Sequence, residues 1–434
     1  MNTMARHRAR LASALVAGAA GALPAIAQPA QADQPAAATS DWAALEAPIL
    51  SNHRQLTTAD DFTRAGEAYF DPKTDWVIFQ AVPLPPPGER PSRHYSMYLA
   101  GVMRDGEGRV TGLVDALPIS EPGSANTCGW FHPTREGVVT FSSTIEPPSA
   151  DNVPGYQRGT GRYRWAFPSE MDIYAGSPEQ VIKTPEGLRA MGFQGPNPVV
   201  TRPGYDAESS LSSDGRYLLY VHVDEQRSEA LGRPDGNIWI RDQKLGRDVG
   251  IIGAEGYDGG PFFSPDDRWI CYRSDREGNN LLQLFIAEIA YDDETGDVLG
   301  IHREIQLTDN RHVNWAPFWH PSGRILVYAT SRVGHDNYEV FALHVRDAQG
   351  EPVTDAEPVR ISHAAGFDGL PVFNADGTLM MWTSQRGPAA EGEPAGSSQL
   401  WLADVDTRAL FQAVTGEPAP DGPWSRRDGP AEND

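Results

Sequence analysis

The chain has 434 residues, of which 43 are Gly and 36 Pro; these turn formers make up about 18 % of it, where ordinary usage gives roughly 12 %. That excess argues against long helices and coiled coils, and an apolar content of 40 % excludes global disorder. With 36 basic and 59 acidic residues the formal charge is −23, a field that repels nucleic acid and anionic membrane surfaces and favours cationic partners or metal ions.

The N-terminus reads as an export signal. Arg6, Arg8 and Arg10 form a basic region, Leu11 to Leu23 is apolar, and Ala25-Ile26-Ala27 supplies a small-x-small cleavage site. The apolar run is shorter than the about 20 residues a membrane span needs, and no later segment is long and apolar enough to cross. Cleavage after Ala27 removes three arginines and no acid, leaving −26. Residues 1–27 are therefore expected to be a signal peptide and 28–52 a linker and N-terminal extension. Export to the periplasm or medium, without a membrane span, is the expected location.

From there an internal repeat dominates. Each copy has a short apolar segment, a turn around Pro-Asp-Gly, and a strand ending in an aromatic. The clearest copies are PFFSPDDRWICY (261–272), PFWHPSGRILVY (317–328) and PVFNADGTLMMW (371–382). SSLSSDGRYLLY (209–220), AYFDPKTDWVIF (68–79) and GWFHPTREGVVTF (129–141) complete the set. The turn positions Pro72, Pro133, Ser213, Pro265, Pro321 and Ala375 are spaced 61, 80, 52, 56 and 54 apart. A second pair of strands follows each hairpin, for example Tyr338 to Val345 and then Pro358 to Ser362. Four strands per unit, repeated six times, predict an all-β fold: a six-bladed β-propeller of four-stranded antiparallel blades over residues 53–416. Arg54–Thr57 and Phe411–Thr415 both resemble outer strands, and one of them is expected to close blade six. Residues 417–434 read as a disordered tail.

The hairpins, followed by Ser274-Asp275-Arg276, Thr330-Ser331-Arg332 and Ser384-Gln385-Arg386, resemble the WD-like propeller repeats of the TolB family, over roughly residues 53–415. Similar blades form the propellers of dipeptidyl-peptidase and prolyl-oligopeptidase enzymes. The resemblance implies a propeller that works through protein contacts in the cell envelope. A peptidase is not expected, because no Gly-x-Ser-x-Gly nucleophile elbow occurs.

Alignment of the copies exposes a column of Asn126, Asp206, Asp258, Asn314 and Asp368, with Ala65 in blade one. Such residues offer oxygen ligands to a divalent cation at the channel mouth; alternatively each caps its own loop or pairs with an arginine such as Arg276, Arg332 or Arg386. Two insertions, 83–95 and 145–170, fall between the second and third strands of blades one and two. The second interleaves Tyr156, Tyr163, Trp165 and Phe167 with Arg158, Arg162 and Arg164, residue types enriched in contact surfaces. Arg162, Tyr163, Arg164 and Trp165 are the expected contact residues, with the Asp/Asn column as the polar floor beneath them. His132 and His320 share one repeat position with Asp71, Ser212, Ser264 and Asn374, which points to turn capping, while His222, His312 and His335 have no clustered metal spacing. Cys128 and Cys271 read as small buried residues.

The expectation is an exported monomer that binds an envelope protein, a peptide or an oligosaccharide, with no catalytic residues and no cofactor beyond a cation at the channel mouth. The competing reading is a metal-dependent polysaccharide lyase or hydrolase, similar to propeller-type oligogalacturonate lyases with their His-rich metal site.

Overall fold

The computed structural model describes residues 41–149, 167–386 and 396–422, together with the strand backbone at Gly155–Gln157 and Arg162–Arg164. The expected signal peptide and Trp165 lie outside the described residues. Six antiparallel sheets follow one another along the chain. Blade one comprises Phe62–Phe70, Trp76–Pro83, Ser96–Arg104 and Val110–Leu113, and blade two Asn126–Phe131, Val139–Ser143, Asp172–Lys183 and Leu188–Val200. Blade three runs through Tyr205–Leu211, Tyr217–Val223, Gly236–Asp242 and Arg247–Ile252, and blade four through Asp258–Phe263, Trp269–Ser274, Gln283–Tyr291 and Val298–Gln306. Asn314–Trp319, Ile325–Thr330, Glu339–His344 and Val359–Arg360 make blade five. Asp368–Phe373, Leu379–Ser384 and Gln399–Val405 make the first three strands of blade six. Each blade packs on the next and blade six packs on blade one, so the ring is a six-bladed β-propeller.

The second strands show why the sequence builds this ring. Ile325–Thr330, Leu379–Ser384 and Trp269–Ser274 are buried along their whole length. A strand covered by neighbouring blades on both faces carries a continuous apolar run instead of alternating. The outermost strand Val298–Gln306 has solvent on one side and does alternate.

The hairpin turns share one device. Asp71 Oδ1 accepts from the backbone N–H of Trp76 at 2.8 Å, Ser212 Oγ from Tyr217 at 2.9 Å, Ser264 Oγ from Trp269 at 2.9 Å and Asn374 Oδ1 from Leu379 at 3.0 Å. His132 Nδ1 accepts from Arg135 N–H at 3.2 Å and His320 Nδ1 from Ser322 N–H at 3.1 Å. The two histidines cap turns, as their repeat position suggests. His320 also packs edge-on against Phe373 and Phe411, and burial pushes its pKa down to about 3. The folded protein therefore holds His320 neutral, while the unfolded chain takes a proton near pH 6.5. This depressed value gives stability that is present above pH 6.5 and lost as pH falls toward 3. At pH 4 the loss approaches about 3 kcal/mol. His320→Asn, which copies Asn374, is expected to flatten that slope in urea unfolding between pH 4 and 7; an unchanged slope would remove His320 from the acid response.

Closure uses the N-terminus. Leu50–Gln55 pairs with Gln399–Val405, setting Arg54 opposite Leu402 and Gln55 opposite Trp401. Phe411–Thr415, which resembles a strand in sequence, lies instead in the helix Thr407–Thr415. Asp406 caps it by accepting from Ala409 N–H at 3.0 Å, and Gly416 ends it at φ +71°. Leu410, Phe411 and Val414 fall on one helical face and are buried.

A short helix, Trp42–Glu46, precedes the closing strand and inserts Glu46 beneath blade six. Arg386 Nη1 and Nη2 donate to Glu46 Oε2 and Oε1 at 2.8 and 2.9 Å, and Nη2 donates to Asp368 Oδ2 at 2.6 Å. His53 Nε2 lies 2.7 Å from Glu46 Oε2, and His363 N–H donates to Glu46 Oε1 at 2.7 Å. Burial pushes the Glu46 carboxyl up, but these hydrogen bonds outweigh it and hold it below its usual range. Among the described residues no helix is long and apolar enough to cross a membrane.

Candidate functional site

All six innermost strands carry one residue in the left-handed region at the same register. These are Glu67 (φ 37°), Cys128 (54°), Glu208 (60°), Gly260 (58°), Ala316 (51°) and Leu370 (55°). In blades one to six the ladder slips by one residue there, a β-bulge repeated around the ring. Five of the six are not glycine, so the surrounding structure imposes the conformation. Gly260 is the one place a side chain is excluded, since a Cβ would lie 1.7 Å from Arg273 Nη1.

The six bulge residues line a central cavity of about 840 Å³, within the range of small-molecule sites. Its wall is divided. Blades one to three contribute Glu67, Cys128 and Glu208, whereas blades four to six contribute Gly260, Ala316 and Leu370. Two residues further along the strands, Tyr69, Trp130, Phe262 and Phe318 gather with ring centroids 5.0–6.3 Å apart. This aromatic cluster packs beside the bulge layer.

Polar contacts of the cavity wall converge on Glu208. Tyr257 Oη donates to its Oε1 at 2.6 Å, Gly260 N–H to Oε2 at 2.7 Å, and Arg273 Nη2 to Oε2 at 2.9 Å. Arg273 Nη2 also reaches Tyr257 Oη at 2.9 Å. Glu67 receives Tyr69 Oη on Oε1 and Thr127 Oγ1 on Oε2, both at 3.1 Å. Burial pushes the Glu67 carboxyl above its usual range; hydrogen bonds from Cys128 and Thr127 oppose this and the charge of Glu208 adds to it. Cys128 corrects the sequence reading: it is partly buried and lines the cavity wall, and is not simply core. Burial and Glu67 push its thiol well up, so it is no activated thiolate. Cys271 is fully buried, as expected.

The Asp/Asn column lies two residues before the bulge, and Asp206, Asp258, Asn314 and Asp368 are satisfied from within the molecule. Asp206 pairs with Arg202 at 3.0 Å and His222 at 2.9 Å, Asp258 with Arg276 at 3.4 Å, and Asp368 with Arg386 at 2.6 Å. Asp258 also accepts from Ala254 N–H at 2.9 Å, while Asn314 bonds Gln283 at 3.1 Å and Asn310 at 3.0 Å. These four are at most 1 % exposed. Asn126 is the member that reaches the cavity wall. Among the described residues no three His, Cys, Asp or Glu side chains are grouped to hold a metal ion.

Both insertions reach the cavity with their C-terminal ends, Arg93-His94-Tyr95 and Phe167-Pro168, so they share its face. Asn126 Nδ2 donates to Tyr95 O at 2.9 Å, and the Arg64 guanidinium lies 5.0 Å from the Tyr95 ring. Arg162, Tyr163 and Arg164 form a strand paired with Gly155–Gln157, Tyr163 opposite Tyr156. The bulge layer escaped sequence reading because its residues share no chemistry. Its one signal is register: each lies five residues before the turn positions Pro72, Pro133, Ser213, Pro265, Pro321 and Ala375.

No family model matches the chain, and no curated protein does. Solved structures with a similar fold include a putative TolB from Agrobacterium tumefaciens, 14 % identical with a TM-score of 0.42 over 82 % of this chain and 97 % of that one. An oligogalacturonate lyase from Vibrio parahaemolyticus is 13 % identical with a TM-score of 0.42, over 81 % and 92 %. A luciferin-regenerating enzyme is 10 % identical with a TM-score of 0.45, over 81 % and 94 %.

Proposed function

We propose that the chain is an exported binding module that takes a small ligand into the central cavity of its propeller and performs no chemistry of its own. The observation that carries this reading is the bulge ring. Six left-handed positions at one register, five of them strained because they are not glycine, line about 840 Å³ of space, and strain kept in five blades is most readily explained by what it makes room for. Three buried oxygens on that wall, Gln80 Oε1, Asn126 Oδ1 and Ser209 Oγ, have no hydrogen-bond partner among the described residues, which a bound ligand would remedy. Export rests on the basic, apolar and small-x-small sequence ending at Ala27. Arg162, Tyr163, Arg164 and Trp165 are proposed as contact residues because the insertion that carries them ends at Phe167, which lines the cavity. Of the histidines, His132 and His320 cap turns and His222 is held by Asp206, while His94 and His335 line the cavity; the lyase remains the second reading.

The test is ligand-observed NMR with a fragment library on wild type and on Ser209→Phe, which fills the cavity from its wall. Fragments that bind wild type and lose at least about tenfold in affinity to the variant are expected. A library whose hits all bind both proteins equally would place recognition elsewhere and defeat the reading.

A further inference from the structure

The acids around the ring are not treated alike. Asp206, Glu208, Asp258, Glu339 and Asp368 each have an arginine within 3.4 Å. Glu67 lies at the same register as Glu208, yet its side-chain partners are the neutral Tyr69 hydroxyl, Thr127 hydroxyl and Cys128 thiol. Arg64, three residues away on its own strand, is turned to Tyr95 and the carbonyl of Arg93. A carboxylate deep in a protein without a cation is costly, and the usual remedy is a partner of opposite charge.

The neighbouring orphan groups have the same polarity. Gln80 sits opposite Gly66 in the blade-one hairpin, and Asn126 adjoins Thr127, whose hydroxyl bonds Glu67. The Asn126 amide nitrogen already donates to Tyr95 O, Ser124 O and Ser124 Oγ, which fixes its oxygen as an acceptor with no donor. The orphan oxygens of Gln80 and Asn126 near Glu67 are thus acceptors without donors, while the arginines of the cavity wall are Arg93 and Arg273, of which Arg273 bonds Glu208. An ammonium group brings three donors, no acceptor and one positive charge.

Resting on the cavity reading above, we infer that the ligand is a small organic amine whose ammonium group ion-pairs with Glu67 and whose apolar body lies against Ala316, Leu370 and the aromatic side chains of the wall. Aromatic residues Tyr95, Phe167 and Phe367 line the cavity, and aromatic rings favour cations over anions on their faces. A net charge of −23 adds a long-range bias toward cations.

Three probes of one shape separate the possibilities: 3-phenylpropylamine, 3-phenylpropan-1-ol and 3-phenylpropanoate, titrated calorimetrically into the full chain. The amine is expected to bind at least about tenfold more tightly than the alcohol, with the carboxylate weakest. Glu67→Gln is expected to bring amine and alcohol within about threefold of each other. Should that variant not fold, Gln80→Met is expected to weaken the amine several-fold while leaving the ranking intact. Alcohol binding as tightly as amine in wild type, or an unchanged preference in Glu67→Gln, overturns the inference and leaves the cavity reading standing. Equal binding of every probe to wild type and Ser209→Phe would overturn both.

Discussion

Replacing Arg386 with alanine is expected to cost about 3–5 kcal/mol of folding stability and to loosen the closure of the ring. The guanidinium is 6 % exposed and is shared by Glu46 and Asp368, each 1 % exposed. Its removal strands two buried carboxylates side by side, and each alone is costly. The plane of the fork also lies 4.4 Å from the Trp42 ring and 5.0 Å from Trp382, so packing is lost as well. Arg386→Lys is not expected to rescue, because one ammonium cannot reproduce two oxygens of Glu46 and one of Asp368 in a single plane. Glu46→Gln is milder, since Arg386 keeps Asp368. Urea unfolding gives the magnitude, and amide exchange in Gln399–Val405 reads the location: this strand loses its outer partner if Leu50–Gln55 detaches. A loss below about 1 kcal/mol with unaltered exchange would mean that backbone pairing alone closes the ring.

This clasp joins residues far apart in sequence, and it shows what sequence could and could not reveal. The turns were legible because each is local: Asp71, Ser212, Ser264 and Asn374 meet a backbone N–H five residues on. The second strands were legible as dense apolar runs. Closure was ambiguous, because Arg54–Thr57 and Phe411–Thr415 have similar short-range patterns. The deciding signals were helical ones, Asp406 as cap, Leu410, Phe411 and Val414 on one face, and Gly416 as terminator. The site was harder. Asp206, Asp258 and Asp368 attract notice because acids repeat there, yet repetition reflects a shared local need, met by Arg202, Arg276 and Arg386. The bulge residues repeat only in backbone conformation. Glu67, Ala316 and Leu370 have nothing in common as side chains, and positive φ in residues other than glycine is set by the tertiary surroundings.

The largest effect within the cavity itself is expected from Arg273→Ala. Arg273 is 7 % exposed, bonds Glu208 Oε2 and Tyr257 Oη, and stands 5.6 Å from the Tyr257 ring centroid. Without it Glu208 keeps the Tyr257 hydroxyl and the Gly260 N–H but no cation, a loss of about 3–5 kcal/mol at neutral pH. The deficit should shrink on acidification, and the sign follows from Glu67. Burial and the charge of Glu208 already raise its carboxyl above the usual range. A carboxyl raised in the folded state gives stability that is complete below the unfolded value near 4.5 and is lost as pH rises through the folded one. Removing the arginine strengthens that repulsion, so Arg273→Ala should be most impaired above neutrality and recover toward pH 4.5. The double variant Arg273→Ala with Glu208→Gln should regain much of the loss, because it deletes the charge that the arginine compensated. Urea unfolding of the four proteins of this cycle at pH 5 and pH 8 decides the matter. Additive losses with no pH dependence would show that Arg273 acts through packing on Tyr257, and that the two glutamates do not feel each other across the cavity.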